Sequence, residues 1–272
     1  MKHHNYNSHT AAIAAEEHPD LGEVCRFLTE YAACLLACGA TCTRITRNVS
    51  RMADVAGVEA DIIILPSHMS ITLSDPRDGR TFHHTSSLAN VPVSFNINTQ
   101  LSKLSWKVAE RRVNFIEARQ LFERIKEAPC INPWVLALLV SVANASFCRL
   151  FGGDPMAMVI VAVATMAGYS LKLLLLSRHT DIKLVVIACA FLSALISCIG
   201  YVIGCTATPD IAVGTSVLYL IPGIPYINSV SDLLSSHYLS GYSRLAHALV
   251  LTGCIALGMT VAVMLMHIQV IP

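Results

Sequence analysis

From about residue 134 onward, long apolar runs alternate with short polar gaps; upstream, apolar positions recur at helix and strand spacing. The runs are Trp134–Leu150, Met156–Leu176, Leu184–Cys205, Ile211–Leu234 and Leu245–Ile268. They are about 17 to 24 residues long, near the ~20 that an apolar helix needs to cross a bilayer. Five membrane spans are therefore predicted. The fourth is unlike the others. Its distal part and the residues that follow, LYLIPGIPYINSVSDLLSSHYLSGYSR (Leu218–Arg244), carry Pro222, Gly223 and Pro225, then Asn228 and Asp232. Lipid penalises both helix breakers and a carboxylate.

Upstream, Leu21, Val24, Cys25, Leu28, Tyr31 and Leu35 mark one face of a helix over Leu21–Cys38, with Pro19-Asp20 as its start and Gly39 as a break. A second helix is predicted from about Thr41 to Ala56, ending at Gly57. Three β-type runs follow, Ala60–Leu65, Ser70–Ser74 and Thr81–Ser86, with turns at Pro66-Ser67 and Pro76–Gly79. Asn98–Arg111 and Asn114–Lys126 read as two more helices. The apolar run Tyr31–Cys42 is too short to span and reads as part of a buried helix. The fold class expected is an α-helical multi-pass membrane protein, with about five spans, one of them broken, and a small N-terminal α+β cytoplasmic domain. Residues 1–19 are expected to be disordered, 20–128 to form the soluble domain and 129–272 the membrane domain.

Charge sharpens this picture. Only 14% of the 272 residues are charged, against 54% hydrophobic, and most of the charge precedes residue 128. A net charge of +1 and the lack of a basic tract with aromatics argue against nucleic-acid binding. The N-terminal MKHHNYNSHTAAIAAEEH holds no apolar core long enough for a cleavable signal. Lys172, Arg178, Lys183 and Arg244 fall on one side of the five spans and Arg149 on the other. By the positive-inside rule the N-terminus is expected in the cytoplasm and the C-terminus outside the inner membrane.

Ten cysteines invite a metal reading. Cys34, Cys38 and Cys42 recur every four residues, but without C-x2-C spacing or a nearby histidine they read as small packing residues. No metal or cofactor is expected. G-x4-G-K-[ST], H-E-x-x-H and G-x-S-x-G are all missing from the sequence, so neither ATP-driven pumping nor a common hydrolytic mechanism is expected.

The candidate chemistry gathers in the fourth run. Pro222 and Pro225 lack amide hydrogens, so in a continuous helix the carbonyls of Leu218 and Ile221 lose their partners. Such backbone survives at membrane depth only against protein or a wet cavity. Gly223 allows a turn or close approach of a solute. Asn228 and Asp232, four apart, share a helical face, and a carboxylate there either carries a proton or binds a cation. The bland alternative is a kinked helix whose Asn-Asp pair sits in the interfacial layer. Asn144 in the first span either faces a cavity or bonds a neighbouring helix. Asp154 and Asp210 read as helix caps, Lys172 as a snorkelling side chain, and Arg44, Arg47 and Arg51 as a solvated or lipid-facing stripe.

Several stretches resemble the threonine/serine exporter family. They are C-G-A-T-C-T-R-I (Cys38–Ile45), V-x-R-M-A (Val49–Ala53), L-F-G-G-D (Leu150–Asp154), P-G-x4-N-x3-D (Pro222–Asp232) and S-G-x2-R ending at Arg244. The resemblance runs from about residue 20 to the end. It implies a cytoplasmic domain followed by about ten membrane helices, held in one chain or divided between a larger and a smaller subunit. Five spans then fit the larger subunit of a split exporter. The implied activity is export of threonine and serine coupled to the proton gradient, with dicarboxylates such as succinate associated with split members. Asn228, Asp232, Gly241 and Arg244 match the fourth-span motif, and Gly152, Gly153 and Asp154 the first-loop motif. The stretch Phe82-His83-His84-Thr85 departs from the family, whose members tend to be basic there.

The expected pathway residues are Asn144, Pro222, Gly223, Pro225, Asn228, Asp232 and Arg244, with Asp232 responsive to protons and Arg244 facing either Asp232 or lipid phosphates. Expected partners are a smaller membrane subunit of the same family, a small polar substrate and the lipid bilayer; a homo-oligomer is left open. Two rivals are a membrane-anchored ligand-binding or sensor protein and a membrane enzyme using His83, His84 and buried cysteines.

Overall fold

The computed structural model describes residues 20–65, 67–88, 93–127 and 131–266. The segments expected as a disordered N-terminus (1–19), the start of the membrane part at 129, Pro66 and the end of the last span beyond 266 lie outside them. The chain divides into two compact units: the described residues of Met1–Ala128 with Ile227–Arg244, and those of Pro129–Tyr226 with Leu245–Pro272.

In the first unit, α1 (Leu21–Ala37) starts where the Asp20 carboxylate accepts the Gly22 N–H, and it gives way to Gly39 at φ +85°. Thr41 then caps α2 (Cys42–Ala56) by accepting the Arg44 N–H, and Gly57, also left-handed, closes it. An antiparallel sheet follows in the order β1 (Glu59–Ile64), β2 (His68–Ser74), β3 (Thr81–Ser87), with Asp61 opposite Thr72 and Thr72 opposite His83. Helix α3 (Phe95–Ala109) begins three residues before the expected Asn98, because Ser94 accepts the Ile97 N–H and so sets an earlier cap. The reciprocal capping box of Asn114 and Glu117 opens α4 (Phe115–Lys126).

The helical stripe of α1, with β2, α3 and α4, forms one apolar core around Leu28, Tyr31, Ile71, Leu101 and Phe122. The buried Tyr31 hydroxyl donates to the Leu101 carbonyl at 2.9 Å. Cys34, Cys38 and Cys42 are all buried, but Gly39 interrupts the helix and puts Cys42 on α2. The stripe of arginines is solvated at Arg44 and Arg47, which are exposed, and partly covered at Arg51. Arg44 donates to Asn98 at 3.1 Å, and Arg51 donates to Ser105 at 2.6 Å while lying 3.8 Å above the Trp106 ring centroid.

The second unit is helical: α5 (Pro133–Leu150), α6 (Pro155–Ser177), α7 (Ile182–Val202) and α8 (Pro209–Ser216), then a single 3-10 turn (Leu218–Leu220). Helix α9 (Gly223–Leu234) begins in this unit and ends in the first; α10 (Tyr238–Leu265) begins in the first and continues in the second. Helices α5, α6, α7 and α10 are each long and apolar enough to cross a membrane. The pair Pro209–Leu220 and Gly223–Leu234 is bent by 64° and makes a fifth crossing if counted as one broken span. Helix α10 starts seven residues before the expected Leu245, and those residues belong to the first unit.

The core of the first unit sets its stability. Leu28→Ala removes a side chain of 0% exposure and is expected to cost about 2–5 kcal/mol. Thermal unfolding of the full chain in detergent measures that loss.

Candidate functional site

The break in the fourth run is built by backbone bonding that the sequence alone does not give. Ile221 is extended (φ −61°, ψ 126°), and Pro222 precedes the first residue of α9. Pro225 is the third residue of α9, inside the first turn, where its missing N–H costs no helical bond. The expected loss of partners at Leu218 and Ile221 does not occur. The Ile221 N–H donates to Leu218 O at 3.1 Å, and the Gly223 N–H to Ile221 O at 2.9 Å. The helix restarts when the Tyr226 N–H reaches Pro222 O at 3.2 Å. Gly223 has neither positive φ nor crowding, since a Cβ there meets nothing within 4 Å.

Beyond the break, in the first unit, three polar side chains converge on the turn between α1 and α2. Asn228 donates to Gly39 O at 2.8 Å, and Arg244 donates to Ala40 O at 2.9 Å. The Asp232 carboxylate accepts the Cys42 N–H at 2.8 Å through Oδ1. Cys42 is the first residue of α2, so the carboxylate sits at a helix N-terminus, where free amides and the helix dipole favour an anion. Asp232 is 0% exposed. Its Oδ2 lies 3.3 Å from Arg244 Nε, close enough for charge attraction, yet in a geometry that makes no hydrogen bond. One carboxylate oxygen is therefore fully used and the other is held by charge alone.

Small residues let these groups meet. A Cβ on Gly241 falls 2.7 Å from Leu233 Cγ and 3.1 Å from Leu233 N, so glycine permits the close return of α10 past α9. Ser229 donates to Gly241 O at 3.0 Å. Burial first, and then the Asp232 charge, push the Cys42 thiol up to about 11, with Ser240 and Arg244 acting the other way. It is thus a neutral thiol at physiological pH, unlike a catalytic thiolate. His83 lies elsewhere, on β3, within 3.1–3.3 Å of the hydroxyls of Thr72, Thr85 and Ser70.

In the second unit, Asn144 is buried and donates to Thr165 Oγ1 at 2.8 Å and to Thr215 O at 3.1 Å, joining α5, α6 and α8. Gly152 turns the chain at φ +94°. Gly153 has no room for a side chain, because a Cβ falls 2.5 Å from Cys148 Sγ and 2.8 Å from Cys148 O. Asp154 caps α6 through the Ala157 N–H at 2.7 Å and also accepts from Thr206 Oγ1 at 2.7 Å and the Ala207 N–H at 2.9 Å. Asp210, expected as a cap, is instead exposed within the first turn of α8, and Thr208 stands at the cap position.

The sequence reading missed the acceptors and donors of the α1–α2 turn, although it singled out Cys38–Ile45 as a motif. Backbone groups have no sequence signature. Thr165 was equally hidden, since hydroxyl residues in apolar runs ordinarily bond their own helix, and Thr215 meets Asn144 through its main-chain carbonyl while its hydroxyl stays on Ile211 O.

The Ala207 N–H first, then the Ala157 N–H and the Thr206 hydroxyl, hold the Asp154 carboxyl below its usual value. Its stabilising contribution is therefore present above the ordinary carboxylate value of about 4 and is lost as the pH falls through the lower folded-state value. Asp154→Asn is expected to unfold at a lower temperature than wild type at neutral pH. The difference should close on acidification, as followed by thermal unfolding against pH.

The family model described as "Putative threonine/serine exporter" matches residues 26–266. The "Probable succinate transporter subunit YjjP" of Klebsiella aerogenes is 29% identical over 245 residues, covering 88% of this chain and 92% of the relative. Its namesake in Escherichia coli strain K12 is 27% identical over 243 residues, covering 88% and 93%. No solved structure matches the chain. With the family model reaching from within α1 to the end of the described part of the chain, the chain belongs to the threonine/serine exporter family.

Proposed function

We propose that this chain is the larger subunit of a two-component inner-membrane exporter of small polar carboxylates, completed by a smaller membrane subunit of the same family. The substrate is threonine and serine or a dicarboxylate such as succinate, and the driving force is the proton gradient. The observation that carries the reading is the 64° break in the fourth apolar run. Anchoring needs no helix break, whereas secondary transporters build their pathways at discontinuous helices. The relatives named as transporter subunits support a divided machine.

Asp232 is the proposed proton-responsive group. A proton on Oδ2, the oxygen without a hydrogen bond, removes the charge that faces Arg244. Arg244 then loses its counter-charge while the Cys42 N–H keeps its acceptor, so protonation loosens one arm of the contact and spares the other. Asn228, Pro222, Gly223 and Pro225 shape the pathway around the break, and Asn144 supplies a polar contact in the helical unit.

Contacts within each unit fit an odd number of crossings, and the cytoplasmic N-terminus of the proposal rests on the positive-inside rule. Asp154, between α5 and α6, bonds Thr206 and Ala207, between α7 and α8, which fits two loops on one side. Residues 227–244 belong to the first unit, which fits a fourth loop on its side.

A second reading, a membrane-anchored ligand sensor, draws on one feature. The first unit holds an open cavity of about 1350 Å³ with Phe27 and Phe115 in its lining and Arg77, Arg111, Arg119 and Glu23 among its charged walls.

Efflux from proteoliposomes preloaded with labelled threonine, serine or succinate separates the two. The chain is reconstituted alone and with the smaller subunit, with and without a pH gradient. Solute-specific, gradient-driven efflux requiring both chains is expected. No efflux of any solute, with both proteins inserted and folded, favours the sensor. Asp232→Asn is expected to transport without dependence on pH; unchanged pH dependence removes its proton role.

A further inference from the structure

One polar cluster in the helical unit takes no part in the contacts described above. Lys172 is half-buried in α6, within an apolar run, and its Nζ lies 5.6 Å from the Tyr169 ring centroid. Among the described residues no carboxylate stands at ion-pair distance from it. The Tyr169 ring lies 6.2 Å from that of Tyr219, and the Tyr219 hydroxyl is 3.1 Å from Ser193 Oγ on α7. Gly168 makes this approach available. A Cβ there overlaps both the Tyr219 hydroxyl and Ser193 Oγ, so the two hydroxyls rest on bare backbone.

The position of Tyr219 matters. It lies in the 3-10 turn, two residues before the extended Ile221 that starts the break. A cation, two aromatic rings and a hydroxyl pair thus run from α6 to the turn where the fourth apolar run breaks. A lysine whose only purpose is to reach the interface needs none of these neighbours. A cation without a counter-charge in an apolar bundle is costly, and such residues mark ligand or ion pathways.

We propose that Lys172, Tyr219 and Ser193 form a binding site for a small carboxylate carrying a second polar group. The ammonium receives the carboxylate. The Tyr219 hydroxyl exchanges its bond with Ser193 Oγ, and the Ser193 hydroxyl its bond to Ala164 O at 3.2 Å, for bonds to the substrate's hydroxyl or second carboxyl. This site rests on the transporter reading and deepens it. A hydroxy amino acid and a dicarboxylate share the chemistry, so both are probed.

The test replaces Ser193 with cysteine in the full chain and follows its modification by a small water-soluble thiol reagent in native membranes, resolved by peptide mass spectrometry. The exposed Cys205 of the same chain reports reagent access. Ser193→Cys is expected to react, and serine, threonine or succinate to slow the reaction. Lys172→Gln should abolish that protection while leaving the reaction itself. Failure of position 193 to react while Cys205 does, or reaction that none of the three solutes slows, overturns the proposal.

Efflux of the same solutes from the same cells, which also express the smaller subunit, keeps the two claims apart. Efflux without protection removes this site and leaves the transporter reading standing; protection without efflux does the reverse. Should Ser193→Cys fail to accumulate, Lys172→Gln and Tyr219→Phe provide the reading. Loss of one charge-assisted hydrogen bond is expected to raise the KM of efflux roughly tenfold with kcat retained. An unchanged KM in both variants overturns the site.

Discussion

A carboxylate taken out of water costs several kcal/mol unless fixed donors and a counter-charge replace the water, and Asp232 is wholly buried. Its burial is tolerable because the α1–α2 turn offers the free amide of Cys42 and because Arg244 stands 3.3 Å away. Each partner is itself constrained. Cys42 presents that amide because Gly39 ends α1 and Thr41 starts α2. Arg244 is in reach because Gly241 allows α10 to pass close to α9. Two stretches about 190 residues apart thus complete one polar structure, and neither is satisfied without the other.

The same accounting governs the break. An apolar helix interrupted by proline must find new donors for the freed carbonyls. Here a 3-10 turn and a tight turn at Ile221–Gly223 supply them, so the Leu218 and Ile221 carbonyls keep donors as the chain changes direction. The polar residues after the break are buried in the first unit, which is why a run that begins apolar carries Asn228 and Asp232 without exposing them to lipid. Before it, the Thr215 carbonyl receives Asn144 of α5, and the Tyr219 hydroxyl meets Ser193 of α7.

Much of this was legible in the chain. The apolar runs gave the membrane-length helices, because length and composition decide such helices almost without tertiary help. Short β-type runs between turn residues gave the three strands, and the helix starting at Asn114 was read where α4 begins. The contact between Asp232 and Arg244 was one of two expected alternatives. What could not be read was the identity of backbone partners. Nothing in Gly39, Ala40 or Cys42 says that their main-chain groups receive side chains from a remote segment. Nor did the prolines reveal that the carbonyls they deprive find other donors. Arg51 misled for a related reason: a basic stripe looks solvated until a facing helix supplies Ser105 and Trp106.

Hydrogen exchange of the full chain tests most directly whether Asp232 holds the α1–α2 turn. The peptide that reports the Cys42 amide is compared between wild type and Asp232→Ala, with the middle of α1 around Leu28 as the internal reference. Faster exchange at Cys42, with the reference unchanged, is the result this account predicts. Equal exchange at Cys42 in the two proteins would contradict it.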